Sequence, residues 1–532
     1  MGVLDSVFSN NKKVEKAKKT IRRVYLSDLR PWVIGYSGGK DSTTVLQLVI
    51  ETLLEMNNEG IQLEKMVYVI SSNTMVETPL IIRNINTNLE MVQEFAKTQG
   101  IPVQIQLVYP AIDNTFWVNI IGRGYPAPNQ SFRWCTDRMK IEPSNKFILD
   151  KISEHGEVVV LLGVREGESN SRDRVIKDKT IEGKDLMKHS TLTNAYTFAP
   201  IRAFDINDVW EYLLSNKCPW DADNHELYKL YSDSNSNECP LIIDTKTKDE
   251  NGSCGNGRFG CWVCTVVAKD KALTGFIENG ETWLRPLLNY RNWLFEHRDD
   301  RSKRMQRRAR GEIYMLKLST NVVRGLEILV IGKKAGRGRV EIPLVSQEGV
   351  LTASNGEEYV LISENELRNY IAHNGIDVSN AEAPNLIIRK DDGSYNQLGL
   401  GPYTFEARFE MLEKLLKIQL ELRSEGHFIE LITDNELREI RRQWNRHGLL
   451  TDELPNIYEM VYGVDLVCEE NDIVLINSNQ HIILQELCDE ENLSITPLID
   501  LIKLEQKNDG NKFKKGIQDE ISSILTKDYL HI

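Results

Sequence analysis

No apolar run in this 532-residue chain approaches the ~20 residues that a helix needs to span a bilayer. The N-terminal stretch through Lys12, Lys13, Lys16, Lys18 and Lys19 lacks the apolar core and cleavage site of an export signal. A cytosolic location is the expectation. Positive charge is outnumbered, with 65 Lys and Arg against 78 Asp and Glu, and the net charge is −13. Nucleic-acid phosphates are repelled by such a chain unless it offers a local basic patch or a partner does so. Histidine is scarce, at 9 residues, and there are 8 cysteines. In a large cytosolic protein those cysteines are poor candidates for disulfides. No internal repeat is visible. What remains is an ordinary globular composition, 41% apolar and 27% charged.

At ~100–200 residues per domain the length calls for two to four units. The first part alternates strands and helices. Trp32–Tyr36 is a short apolar run that ends at a Gly-rich turn, and Ser42–Met56 carries a broad apolar helical face. Further strands are expected over Lys65–Ile70, Val103–Val108 and Glu157–Leu162. Thr78-Pro79 reads as an N-cap with proline at the first helical position, and Gly100 as a stop. Asp205–Ser215 reads as a capped helix. This alternation predicts a parallel sheet with right-handed crossovers, whose ligands bind at the carboxyl ends of the strands. Residues 216–270 read as turn-rich and hold five of the cysteines, and residues 297–310 are densely basic. Beyond about 320 the pattern turns to mixed strands and loops, with a long helix over Thr404–Arg423. Three regions are expected: 1–215, 216–320 and 321–532.

Ser37-Gly38-Gly39-Lys40-Asp41-Ser42 sits between a predicted strand and a predicted helix. Two glycines let the backbone turn sharply and approach an anion. Free N–H groups and the dipole at the helix start favour that anion. Ser37 and Ser42 add hydroxyls, Lys40 can follow a leaving phosphate, and Asp41 can help to hold Mg2+. The spacing is not that of the nucleoside-triphosphate P-loop. The plain alternative is an ordinary Gly-Gly turn.

The hexapeptide resembles the PP-loop of ATP pyrophosphatases and PAPS reductases. Gly163-Val164-Arg165-Glu166-Gly167-Glu168-Ser169 with Arg172 is similar to a reductase string that meets anionic substrate groups. Arginine suits that task because its planar fork grips phosphate. Arg133-Trp134-Cys135-Thr136 with Lys140 and Pro143 resembles a second string of that branch, and Pro200-Ile201 through Leu213 a third, which reads as core packing. The resemblance implies an α/β fold of the PP-loop, adenine nucleotide alpha hydrolase-like type on the PAPS reductase branch, a parallel sheet flanked by helices. A cysteine-rich cluster region and an α+β C-terminal region would follow. It assigns nucleotide binding to Ser37–Ser42, Gly163 and Arg165, and catalytic roles to Lys40, Asp41 and Arg165. Anionic substrate groups fall to Arg133, Lys140, Glu168, Ser169 and Arg172. One position departs from the pattern: Asn73 stands where the branch usually has Asp, in Asn73-Thr74-Met75-Val76-Glu77.

Cys261 and Cys264 are spaced as Cys-x-x-Cys, with Cys254 and Cys239 upstream and Gly252, Gly255, Gly257 and Gly260 around them. Thiolate-rich sites with few histidines select zinc or iron–sulfur clusters. A zinc site of Cys239, Cys254, Cys261 and Cys264 is one reading, and buried free thiols are the plainest. Cys218, Cys468 and Cys488 read as structural. The string from Cys254 to Thr265, Arg30–Tyr36 and Gly401–Arg408 resemble the DndC family of bacterial DNA phosphorothioation systems. That family resemblance implies ATP with Mg2+, a 4Fe-4S cluster, cleavage of ATP to AMP and pyrophosphate, and transfer of sulfur to a DNA backbone phosphate. A cysteine desulfurase and other phosphorothioation subunits would be partners. Cys254, Cys261 and Cys264 would be cluster ligands, with Cys135, by analogy with the reductases, or Cys239 as the fourth.

Arg301, Lys303, Arg304, Arg307, Arg308 and Arg310 form the basic run. Arg304, Arg307 and Arg308 are the candidate nucleic-acid contacts, against a solvated helix paired with Asp299, Asp300 and Glu312. Rival readings are a PAPS or APS reductase, a tRNA thiolase, and an assembly subunit that only binds ATP.

Overall fold

A computed structural model describes residues 3–167, 185–234, 260–305 and 386–447, with shorter stretches within 174–179, 315–366 and 449–526. By its contacts the chain divides into two compact units. The first is Met1–Phe116 with Pro128–Asn292, and the second is Trp117–Ala127 with Trp293–Ile532. The first unit takes in the described stretch that bears Cys261 and Cys264 and runs on to Asn292.

The first unit holds helices α1 (Val3–Leu26), α2 (Lys40–Asn58), α3 (Pro79–Gln99), α4 (Trp134–Thr136), α5 (Glu142–His155), α6 (Ile206–Ser215), α7 (Asn224–Asp233) and α8 (Lys271–Glu278) and most of α9 (Arg285–Glu296). Its strands are β1 (Trp32–Gly35), β2 (Val67–Ser72), β3 (Val103–Val108), β4 (Val158–Leu161), β5 (Met187–Lys188) and β6 (Ala195–Phe198). They form one sheet in the order β3-β2-β1-β4-β6-β5. Every pairing is parallel except β5 with β6. Helices flank the sheet, as a parallel arrangement requires. Alternate residues explain the packing on one face: Val33, Tyr68, Ile70, Val158 and Val160 meet Ile148 of α5. β1 lies between β2 and β4, where the strand order reverses, and such a switch point opens a crevice at the carboxyl ends.

Local signals explain the helix ends. Asp205 caps α6 in a capping box with Asp208, and Gly100 closes α3 in the left-handed conformation. Helix α7 lies inside the stretch read as turn-rich. Asp223 caps it, and Leu227 and Tyr231, one turn apart, are buried.

In the second unit, β7–β14 form a three-stranded and a five-stranded sheet, in the orders β10-β9-β8 and β11-β12-β13-β14-β7. The strands are β7 (Met315–Lys317), β8 (Ser319–Val323), β9 (Leu326–Ile331), β10 (Val340–Pro343), β11 (Val350–Thr352), β12 (Glu358–Ser363), β13 (Leu386–Arg389) and β14 (Tyr395–Leu398). Helix α10 (Phe405–Ser424) is capped by Thr404, and α11 (Asp434–Arg446) and α12 (Glu453–Tyr462) follow. Residues Val118–Gly122 form a buried π-helical turn within this unit. Trp117 Nε1 donates to the Leu431 carbonyl, and Trp444 Nε1 to that of Ile121, each at 2.7 Å.

The described part of the basic run is committed here to internal contacts. Arg301 donates twice to the Leu398 carbonyl, both at 3.0 Å, and Lys303 pairs with Glu410. Arg304 is only 3% exposed. Its guanidinium donates to the carbonyls of Gly401 at 2.7 Å and Arg298 at 2.6 Å, and lies 4.8 Å from the centre of the Tyr403 ring. Arg304 was expected on nucleic-acid phosphates; instead it stitches backbone segments together, because a buried guanidinium must spend its donors on carbonyls. Arg307 and Arg308 lie outside the described residues.

Candidate functional site

The Ser37–Ser42 loop leaves β1 at the carboxyl edge of the sheet and starts α2. Gly38 has φ +69°, and a Cβ there would sit 2.4 Å from Ile85 Cγ1, so only glycine fits. Gly39 is the N-cap of α2. Ser37 and Ser42 tie the loop to itself: the Ser37 N–H donates to Ser42 Oγ at 3.2 Å, and Ser42 Oγ donates to the Gly39 carbonyl at 2.9 Å. The start of α2 therefore presents amides to the crevice in a fixed frame.

The loop leaving β4 meets it from one side. Gly163 packs on the backbone of Asp41 and Ser42. Arg165 Nε donates to Asp41 Oδ1 at 2.6 Å, and Lys40 Nζ lies 3.3 Å from Asp41 Oδ2. Lys40 and Arg165 are both buried. The three residues assigned to catalysis are thus brought together. Both Asp41 oxygens face cations here, so a magnesium ion or a phosphate group would have to rearrange this trio.

The loop leaving β2 lies on the other side of β1 and pairs with the segment that bears Cys261. Asn73, at the departure from the family pattern, accepts the Met75 N–H at 2.8 Å. That bond supports the left-handed Met75, whose φ is 65°. Both Glu77 carboxylate oxygens accept the Thr74 N–H, at 3.1 and 2.9 Å. Glu77 pairs antiparallel with Cys261, and the Trp262 N–H donates to the Val76 carbonyl at 3.0 Å. Thr78 precedes α3 as expected, yet its hydroxyl donates to the Gly260 carbonyl at 3.2 Å instead of capping the helix. Thr74 Oγ1 lies 3.4 Å from Cys261 Sγ.

Cys135, Cys261 and Cys264 share one electrostatic environment around Lys140. Burial pushes the Cys261 thiol up to about 12, with Lys140 pulling the other way. Cys135 is also raised, first by burial and then by Cys264. The Lys140 ammonium is held above its ordinary range, chiefly by Cys261. Its side chain keeps exposed surface, which screens these interactions in solvent. Lys140 thus interacts electrostatically with these thiols and with Glu77. Trp134, stacked on Phe116 at 5.6 Å between ring centres, fixes the turn that presents Cys135.

These thiols suit a soft metal, whose binding would displace their protons. Among the described residues, no group of three or more His, Cys, Asp or Glu side chains converges on a metal position. Cys239 and Cys254 lie outside the described residues, as do Glu168, Ser169 and Arg172. The site also contains two residues that the sequence did not single out. Arg291, fully buried, donates to the carbonyls of Cys264 at 2.8 Å and Ala268 at 2.9 Å, and to that of Val267. Tyr231 touches Lys40. Neither carries a signal in the sequence, since an arginine in a helix and a tyrosine in a polar segment are common.

Residues 31–267 match the family model described as the phosphoadenosine phosphosulfate reductase domain. This segment is therefore similar to a PAPS reductase domain. An uncharacterized protein of Methanocaldococcus jannaschii is 26% identical over 273 residues, 51% of this chain and 44% of that protein. The chain thus spans less than half the length of that curated relative. Among solved structures, the PAPS reductase of Candida auris in its phosphate complex is similar with a TM-score of 0.26 and 14% identity, over 42% of this chain and 90% of that one. The U34-tRNA thiolase NcsA of Methanococcus maripaludis, with its 4Fe-4S cluster, gives 0.24 and 16%, over 42% and 72%. An FMN adenylyltransferase of Candida glabrata, bound to FMN and an ATP analogue, gives 0.27 and 13%, over 42% and 62%. No described helix is long and apolar enough to cross a membrane.

Proposed function

We propose that this PAPS reductase-like protein cleaves ATP to AMP and pyrophosphate and uses the adenylated intermediate for sulfur transfer, with a DNA backbone phosphate as acceptor. One observation carries the reading. The phosphate loop after β1 and the Cys261 loop held by the β2–α3 connection emerge at the same edge of one sheet. Nucleotide and thiol chemistry therefore share a crevice.

In the first step an acceptor phosphate oxygen attacks the α-phosphorus of ATP. A new P–O bond forms, the bond to the β-phosphate breaks, and pyrophosphate departs with the electron pair. The amides at the start of α2 and the Lys40 ammonium would stabilise the charge that gathers on it. Arg165 exchanges its Asp41 partner for the nucleotide, and Asp41, so released, can share a magnesium ion with the phosphates. In the second step the outer sulfur of a persulfide attacks the acceptor phosphorus, the P–O bond to AMP breaks and AMP departs. A second thiol then cleaves the S–S bond, leaving the phosphorothioate and a disulfide that an external dithiol reduces. Cys135, Cys261 and Cys264, with Cys254, are the thiols that would hold a 4Fe-4S cluster, which when bound supplies iron for sulfur at this edge. DNA as the acceptor, and a cysteine desulfurase as the sulfur source, rest on the likeness of Arg30–Tyr36, Cys254–Thr265 and Gly401–Arg408 to the DndC family.

The domain match itself favours a second reading, reduction of PAPS or APS to sulfite. Product analysis separates the two. Anaerobically purified protein is incubated with ATP, DNA and a cysteine desulfurase, beside a Lys40→Ala control. AMP plus pyrophosphate, lost in the control, is the expected result. Sulfite from PAPS or APS without ATP turnover would establish the reductase instead.

A further inference from the structure

The proposed chemistry leaves Tyr231 unused, although it touches two of the donors assigned to the leaving group. The Lys40 N–H, first amide of α2, donates to the Tyr231 hydroxyl oxygen at 3.2 Å. The Lys40 ammonium lies 5.2 Å from the centre of the tyrosine ring. A Cβ on Gly39 would stand 3.1 Å from the same hydroxyl. Tyr231 is buried, and its place is fixed by its surroundings. Asn224, at the start of α7, donates to Gln47 Oε1 of α2 at 3.0 Å and to the Leu213 carbonyl at 2.9 Å. Trp210 of α6 packs edge-on against Tyr231 at 5.1 Å. Three helices therefore converge to press one hydroxyl onto the phosphate loop.

That hydroxyl oxygen stands where a phosphate oxygen would accept. It is the weaker acceptor of the two. A neutral partner at 3.2 Å makes a long bond, whereas charge-assisted bonds to an oxyanion are shorter and roughly twice as strong. We propose that Tyr231 is an internal occupant of the anion cradle. Its hydroxyl holds the Lys40 amide while the loop is empty, yields it to the pyrophosphate group, and reclaims it as pyrophosphate leaves. The tyrosine thereby keeps a preformed cradle from gripping its product too tightly, and product release is a common limit on turnover. The inference rests on the assignment of Ser37–Ser42 as the pyrophosphate site.

The test is calorimetric titration of magnesium pyrophosphate into the full-length wild type, Tyr231→Phe and Lys40→Ala. Phenylalanine keeps the ring beside Lys40 and against Trp210 and removes only the oxygen. Tyr231→Phe should bind pyrophosphate about three- to ten-fold more tightly, the worth of one net hydrogen bond. A residue that merely braced the loop would, when cut back, weaken binding. Equal or weaker binding by Tyr231→Phe, with Lys40→Ala binding nothing, overturns the role of Tyr231 and leaves the pyrophosphate site standing. No binding by either wild type or Tyr231→Phe overturns both.

Discussion

A Cβ on Gly163 would lie 2.7 Å from the carbonyl carbon of Asp41, 2.8 Å from its oxygen and 3.0 Å from the Ser42 nitrogen. All three are backbone atoms at the start of α2, so the phosphate loop itself would have to shift. Overpacking of this kind costs about 1–3 kcal/mol. Displaced donors at a charged transition state cost at least a factor of about ten in rate. Gly163→Ala should therefore fold, with a modest loss of thermal stability, and turn over ATP at least about ten-fold more slowly. Wild-type turnover in this variant would show that the β4 loop does not shape the phosphate loop. In the second unit, His447 lies beside Arg408, whose guanidinium nitrogen is 3.4 Å from Nδ1. Arginine only donates, so Nδ1 accepts and the ring is neutral. Burial first, then Arg408, Arg123 and Arg446, bring its pKa from 6.5 down to about 4. The folded state thus binds fewer protons than the unfolded chain. Its contribution to stability is complete above pH 6.5 and is lost as the pH falls toward about 4. The residue as a whole keeps exposed surface, which makes the slope shallow. Thermal melts across that range should show a falling midpoint, and His447→Gln should flatten it; an unaltered slope would place its source elsewhere.

At the scale of elements, the Cys261–Cys264 loop is held from two sides. The β2–α3 connection pairs with it through Glu77, Val76 and Thr78, and Arg291 of α9 binds the Cys264 carbonyl and two that follow it. A buried guanidinium with this many acceptors fixes a backbone path that no lysine can reproduce, since an ammonium has no planar fork. Arg291→Lys should lower the iron and acid-labile sulfide recovered with anaerobic protein, while pyrophosphate binding at the Ser37–Ser42 loop stays near wild type. Full iron content would remove Arg291 as the support of the thiol loop. This pairing of elements was beyond the reach of the sequence. Its strands were legible because β1, β2 and β4 are apolar runs bounded by Gly, Ser or Glu, and α6 because Asp205 and Asp208 form a capping box. The strand–turn–helix path of Ser37–Ser42 was legible because it lies within six consecutive residues, and the strand before Gly163 and Arg165 because it is a clear apolar run. Helix α7 was missed because its buried side chains, among them Leu227 and Tyr231, are few and the rest is polar. Thr78 was legible as the N-cap position of α3, but not the tertiary bond that its hydroxyl donates to the Gly260 carbonyl. Contacts between residues distant in sequence leave no local pattern to read.

At the scale of the whole molecule, the question is where a chain of net charge −13 would meet DNA. A run of like charges in a sequence fixes only their number, and the fold decides which remain available. Arg301, Lys303 and Arg304 are engaged with Leu398, Glu410, Gly401 and Arg298 inside the second unit. Hydrogen bonds from a charged donor contribute about 1.5–3 kcal/mol each when buried. Arg304→Ala should accordingly lower the stability of the protein by at least that amount, read from chemical denaturation. It should not touch the electrostatics of DNA association. A side chain that neutralises one phosphate contributes roughly one unit to the slope of log binding constant against log salt. DNA binding by Arg304→Ala, measured across salt concentrations at a temperature where the variant is folded, should keep the wild-type slope. A slope lower by about one unit would mean that Arg304 leaves its carbonyl partners to reach the DNA backbone.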